Sequence, residues 1–163
     1  MEERNSLYKF DGIVQVDEFY LGGKSHGDGK RGRGTDQDTV MIGLSLKKGA
    51  PVHCFMELVG DMSKRTVLDV FFRRLTSDVI LETDGNPTYA ACAEELDVSH
   101  LVTLSSDKNA HEVFKWVDTL VSNLKSSLTE STTGGKNISS RTSRNSYIAS
   151  IVGAWGTVWS SDC

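Results

Sequence analysis

The chain has 163 residues, 38% of them hydrophobic and 25% charged, which suits one compact domain with a sizeable core. Its net charge of -4 and isoelectric point near 5.5 exclude binding of nucleic acid through a broad basic surface, which would read above about 9. Any DNA contact must be local, or depend on metal ions or on another part of the protein. No apolar run approaches a membrane span and no basic-then-apolar leader opens the chain, so a cytoplasmic protein without a membrane partner is expected. Cys54, Cys92 and Cys163 show no CxxC or ligand spacing, which leaves no disulfide scaffold or zinc ribbon within these residues.

Residues 12–23 (GIVQVDEFYLGG) read as a strand closed by a glycine pair. The following KSHGDGKRGRGTDQD is glycine and charge without a hydrophobic residue, and reads as a long mobile loop. Residues 39–48 and 51–59 are two strand-like runs joined at Gly49-Ala50 as a hairpin. Ser63 can cap a helix reaching about Leu75, with Val67, Leu68, Val70, Phe71 and Leu75 at helical spacing. A buried-type strand at 78–83 ends in Asp84-Gly85-Asn86-Pro87, a turn by composition. TYAACAEEL reads as helix and 100–104 as strand. Over 111–128, Val113, Val117, Leu120, Leu124 and Leu128, joined by Phe114 and Val121, form one helical stripe. After Leu128 the order stops in a run rich in Ser, Thr, Gly and Asn. Three strands, helix, strand, helix, strand, helix imply an α/β protein, a mixed sheet with helices on its faces.

Three acids lie where a metal site can be built: Asp17 inside the first strand, Asp84 just past the carboxyl end of the fourth, and Asp118 in the last helix. Chemistry in open α/β sheets gathers at strand carboxyl ends, which favours Asp84. Asp17 and Glu18 are adjacent in a strand, so they point to opposite faces and only one can join a given site. Measured from Val117, Asp118 falls at about 100° and Lys125 at about 80°, two turns apart on one edge of the apolar stripe, with Asn123 at about 240° on the solvent side. Hard divalent cations take oxygen ligands, and a lysine beside them supplies a point charge for a phosphate. Taken singly, an Asp after a strand is more often a turn former, and an Asp–Lys pair on a helix edge is more often a solvated face. The four cations of the glycine-rich loop, Lys24, Lys30, Arg31 and Arg33, suit phosphate contacts, and a solvated loop fits the same composition equally well. His26, His53, His100 and His111 share no ligand spacing and read as packed or surface side chains.

At VDEFYLGGK (16–24), ETDGNPTY (82–89) and WVDTLVSNLK (116–125) the sequence resembles transposases of the IS1595 group, with their ISXO2-like DDE domain. The resemblance covers about residues 12–128 and implies a ribonuclease-H-like fold: a mixed five-stranded sheet with flanking helices. It matches V-D-E-x-Y-x-G-G-K at the first strand, and T-D-G-x-x-x-Y at Thr83, Asp84, Gly85 and Tyr89. The third motif of the family is an Asn, Glu or His seven residues before a Lys. Asp118 departs from that pattern, and Lys125 matches the lysine. By this resemblance Asp17, Asp84 and Asp118 would hold Mg²⁺ or Mn²⁺, two ions in the active form, and Lys125 would contact a phosphate near the reacting strand. Transposon-end and target DNA would be the partners, with a homo-oligomer as a further possibility.

Family members carry a zinc-ribbon and helix-turn-helix region ahead of this domain, and a G-x-Y-H-G and Y-R-F-N-R-R ending behind it. Neither is present in these residues. Back-translating 130–154 one base out of register can spell KYHG and then YLVEDFEEFVYRFNRR, close to the family ending. The expectation is a catalytic domain over 1–128 and an out-of-frame, poorly ordered tail over 129–163, created by a single-base frame change near Thr129–Glu130. Two functions compete. One is metal-dependent phosphodiester cleavage and strand transfer, inactive in this chain as it stands. The other is a non-catalytic transposase remnant that keeps the fold, with at most weak DNA binding or self-association.

Overall fold

The computed structural model describes residues 9–21, 38–133, 146 and 148. Five strands form one sheet in the order β3-β2-β1-β4-β5. They are β1 (Ile13–Leu21), β2 (Asp38–Lys47), β3 (Ala50–Val59), β4 (Ile80–Thr83) and β5 (Ser99–Val102). The three long strands pair antiparallel and the two short ones parallel to β1, so the sheet is mixed. Helices α1 (Lys64–Arg74), α2 (Pro87–Leu96), α3 (Ala110–Val113) and α4 (Lys115–Thr133) flank it. This is the five-stranded ribonuclease-H-like arrangement that the sequence implies.

Local chemistry sets the elements. The β2–β3 turn falls at Lys48-Gly49, one residue earlier than expected, because both residues adopt positive φ (53° and 76°). That is the pattern of a two-residue type I′ hairpin, whose twist matches the strands it joins. Ser63 caps α1 as expected, accepting from the Thr66 N–H at 3.4 Å. Asn86 caps α2 through Thr88 N–H, and Pro87 sits at the first turn, where its missing N–H costs nothing.

The helix expected over 111–128 is broken into α3 and α4 at Phe114, whose φ of -91° and ψ of 12° leave helical geometry. A physical reason is at hand: the Val113 carbonyl accepts from Gln15 Nε2 at 2.7 Å, which ties this turn to β1. Past the break, α4 runs on to Thr133.

Alternation along β1 divides the core in two. Val14 and Val16 face α1 and α2, in a cluster with Met41, Phe55, Val67, Phe71, Leu81 and Tyr89. Phe19 and Leu21 face α4, in a second cluster with Ile42, Leu44, Val117, Leu120 and Leu124. Val117, Leu120 and Leu124 of the stripe read from the sequence, with Val121 beside them, are therefore the packed face of α4, while Val113 falls in α3. Of the tail beyond Thr133, Ser146 and Ile148 are described, and Ile148 is buried in the α4-side cluster. The tail expected over 129–163 thus begins inside α4, and apart from 129–133, Ser146 and Ile148 it lies outside the described residues. Among those residues no helix is long and apolar enough to cross a membrane.

Candidate active site

The parallel ladder between β1 and β4 ends at Val16↔Thr83, so the next residues, Asp17 and Asp84, flank each other where pairing stops. Neighbouring strands lie about 4.8 Å apart, which sets the spacing of the two backbones there. Asp17 shares its β1 face with Gln15 and Phe19, the face that α4 covers. Helix α4 follows β1 along its length: Val113, just before it, bonds to Gln15, and the Lys125 ammonium stands 5.7 Å from the Phe19 ring centroid. Asp118 lies between those two contacts, one position beyond the buried Val117, and is exposed. Asn123 is exposed as well.

Burial first, and then the charges of Glu18, Asp84 and Asp118, together push the Asp17 carboxyl up to about 6. The Glu18 N–H, donating to Asp17 Oδ1 at 2.8 Å, opposes them. The structure thus brings Asp84 and Asp118 each into electrostatic range of Asp17. A divalent cation would relieve that repulsion, and oxygen donors suit hard ions. Yet among the described residues no group of three His, Cys, Asp or Glu side chains gathers closely enough to hold an ion. The two findings are compatible. Charges act over distances approaching the ~10 Å Debye length, whereas metal–oxygen bonds need about 2.0–2.6 Å. Asp17, with Asp84 and Asp118 acting on it, marks an acidic face.

Two features of the neighbourhood carry weight that the sequence reading did not assign. Glu18, on the opposite face from Asp17, accepts from Tyr89 Oη–H at 2.6 Å and from Asn86 Nδ2 at 3.1 Å. Asn86 N–H in turn donates to Asp84 Oδ1 at 3.0 Å. Tyr89 is fully buried, and burial followed by the Glu18 charge holds its phenol well above the ordinary range, so it stays a donor. Gln15 is 1% exposed; its Nε2 donates to Glu82 Oε2 at 2.8 Å, and its Oε1 has no partner among the described residues. Strand alternation pointed to Glu18 facing away from Asp17, but its partners lie far along the chain. His100 Nε2 sits 2.8 Å from Thr83 Oγ1, and His53 packs edge-on to Phe10. Lys24, Lys30, Arg31, Arg33 and His26 lie outside the described residues.

With 87% of this chain and 81% of the other covered, the fold is similar to the catalytic core domain of BIV integrase, at a TM-score of 0.53 and 10% identity. A second likeness, at a TM-score of 0.53 and 11% identity, is to the simian T-cell lymphotropic virus intasome in complex with the PP2A regulatory subunit B56 gamma. It covers 86% of this chain and 48% of that one. At such identities the likeness defines the fold class alone. No curated protein matches the chain. The family is settled by residues 9–134, which match the ISXO2-like transposase domain: the chain belongs to that DDE-type transposase family.

Proposed function

We propose that this chain is a transposase remnant. It keeps the fold and the acidic face of a DDE catalytic domain, takes a divalent cation only loosely there, and binds DNA or a second copy of itself weakly. The observation that carries this reading is the open arrangement of the acids: Asp17 feels the charges of Asp84 and Asp118, but no three such side chains close around a point among the described residues. Family membership supports DNA as the partner. The net charge of -4 supports weak binding, since non-specific affinity comes from Lys and Arg neutralising phosphates.

A second reading, a competent transposase domain, is favoured by the action of the Asp84 and Asp118 charges on the half-buried Asp17. In it Asp17, Asp84 and Asp118 hold Mg²⁺ or Mn²⁺, and Lys125 offers a point charge to a phosphate of the bound strand. Bound divalent ions would supply charge stabilisation to the attacking and leaving oxygens of a phosphoryl transfer. Asp17, with a carboxyl near pH 6, is mostly ionised at pH 7 and ready to serve as a donor.

Titration of the full chain with Mn²⁺, followed by electron paramagnetic resonance, separates the readings. A single weakly held ion, lost in Asp17→Asn and in Asp84→Asn, is the expected result. Two tightly held ions would overturn the remnant reading in favour of the enzyme. Binding that survives both substitutions would remove Asp17 and Asp84 from the site.

A further inference from the structure

We infer that Glu18 is a positioning residue: it ties the strand that carries Asp17 to the turn that carries Asp84, through Tyr89 and Asn86. This rests on the reading that Asp17 and Asp84 are the cation-binding pair.

The chain of contacts is continuous. Glu18 follows Asp17 on β1 and points to the α2 side. One carboxylate oxygen, Oε2, accepts from the Tyr89 hydroxyl at 2.6 Å. The other, Oε1, accepts from Asn86 Nδ2 at 3.1 Å. Asn86 uses every polar group it has in this turn. Its Oδ1 accepts from Thr88 N–H at 3.0 Å, which starts α2, and its backbone N–H donates to Asp84 Oδ1 at 3.0 Å. Moving Glu18 therefore moves the amide that orients the Asp84 carboxylate.

The side-chain inventory makes the clamp specific. Tyr89 has no exposed surface, and its ring stacks on Phe71 with centroids 6.1 Å apart, so the hydroxyl is delivered to one place. A buried phenol needs an acceptor, and Asn86 Nδ2 needs another. An ionised carboxylate offers both at once, as two strong charge-assisted bonds. Because β1 and β4 stop pairing at Val16↔Thr83, the backbone ladder does not fix Asp84 itself. The Glu18 link does, from the opposite face of the sheet. It also joins the first and second sequence motifs physically: the Glu of VDE meets the Tyr that closes TDGNPTY.

Four full-length variants test this against wild type: Glu18→Leu, which removes both acceptors at similar volume, Tyr89→Phe, which removes one donor, Glu18→Gln, which keeps an acceptor, and Asp17→Asn as the site control. Two quantities are read on folded protein, judged by circular dichroism: Mn²⁺ affinity, and hydrogen exchange of the Asn86 amide without metal. Loss of an outer partner of a metal ligand typically weakens binding about 10-fold or more, and that is expected in Glu18→Leu. Its Asn86 amide should also exchange about 10-fold faster. Tyr89→Phe should shift both quantities in the same direction by less, and Glu18→Gln should recover most of the loss. A folded Glu18→Leu with wild-type exchange at Asn86 would overturn the clamp. So would unchanged exchange and affinity in Tyr89→Phe. If wild type binds no Mn²⁺, the cation reading fails while the amide exchange still decides whether Glu18 holds the turn.

Discussion

Burial and neighbouring carboxylates raise the Asp17 carboxyl from 3.8 to about 6, so between those pH values the folded chain holds a proton that the unfolded chain has released. Stability without metal therefore falls as pH rises through that window and levels off above it, the reverse of a salt-bridged aspartate. A shift of this size corresponds to roughly 3 kcal/mol. Asp17→Asn removes the buried charge, and urea unfolding at pH 8 should show it more stable than wild type by about 2–3 kcal/mol, with the pH 4–6 slope lost. An unchanged slope would mean that another group titrates there. Such a charge is retained against stability, which is the pattern of a site rather than of a core. At the same scale, Gly43 lies under Phe55: a Cβ there would come within 2.0 Å of the ring, and Phe55 is buried. Gly43→Ala should cost about 1–3 kcal/mol, read as a lower melting temperature.

Helix α4 brings Asp118 to the acidic face by packing Val117, Leu120 and Leu124, each 1% exposed or less, against the sheet. Asp118→Ala should lower the Asp17 pKa and weaken Mn²⁺ binding by up to roughly fivefold, the worth of one solvent-screened charge, while Asn123→Ala leaves both unchanged. Equal effects from the two would detach Asp118 from the site. The order of elements was legible because each carries a local signal: alternation in GIVQVDEFYL, the Ser63 cap, the DGNP turn, the apolar stripe of 111–128. The adjacency of Asp17 and Asp84 comes from the parallel ladder of β1 with β4, whose partners such as Val16 and Thr83 are distant in the chain and leave no local signal. The break at Phe114 was hidden, because the Val113 carbonyl beside it is held by Gln15, 98 residues away. The role of Glu18 was hidden in the same way, since Tyr89 stands 71 residues further on. Periodicity reports which face a residue occupies and is silent about what waits there. Whether the acids close around an ion is likewise a matter of side-chain distances, which motif spacing does not encode.

At the scale of the molecule, membership of the transposase family is combined with a net charge of -4, and among the described residues no three His, Cys, Asp or Glu side chains gather closely enough to hold an ion. Affinity for DNA should be weak and independent of sequence, with a shallow dependence on salt, because few phosphates are neutralised. Fluorescence anisotropy with two unrelated duplexes across a salt series measures this; a steep slope, or a strong preference for one duplex, would point to a dedicated DNA surface. Catalysis by positioned ions requires ligands held to about half an ångström, and the proposed remnant would hold its acids less closely than that. The most direct test is nicking of supercoiled plasmid with Mn²⁺, comparing the full wild-type chain with the Asp17→Asn/Asp84→Asn double variant. The expected result is that the two are indistinguishable, both leaving the plasmid supercoiled. Nicking by wild type that the double variant lacks would contradict the remnant reading and establish the acidic face as a working active site.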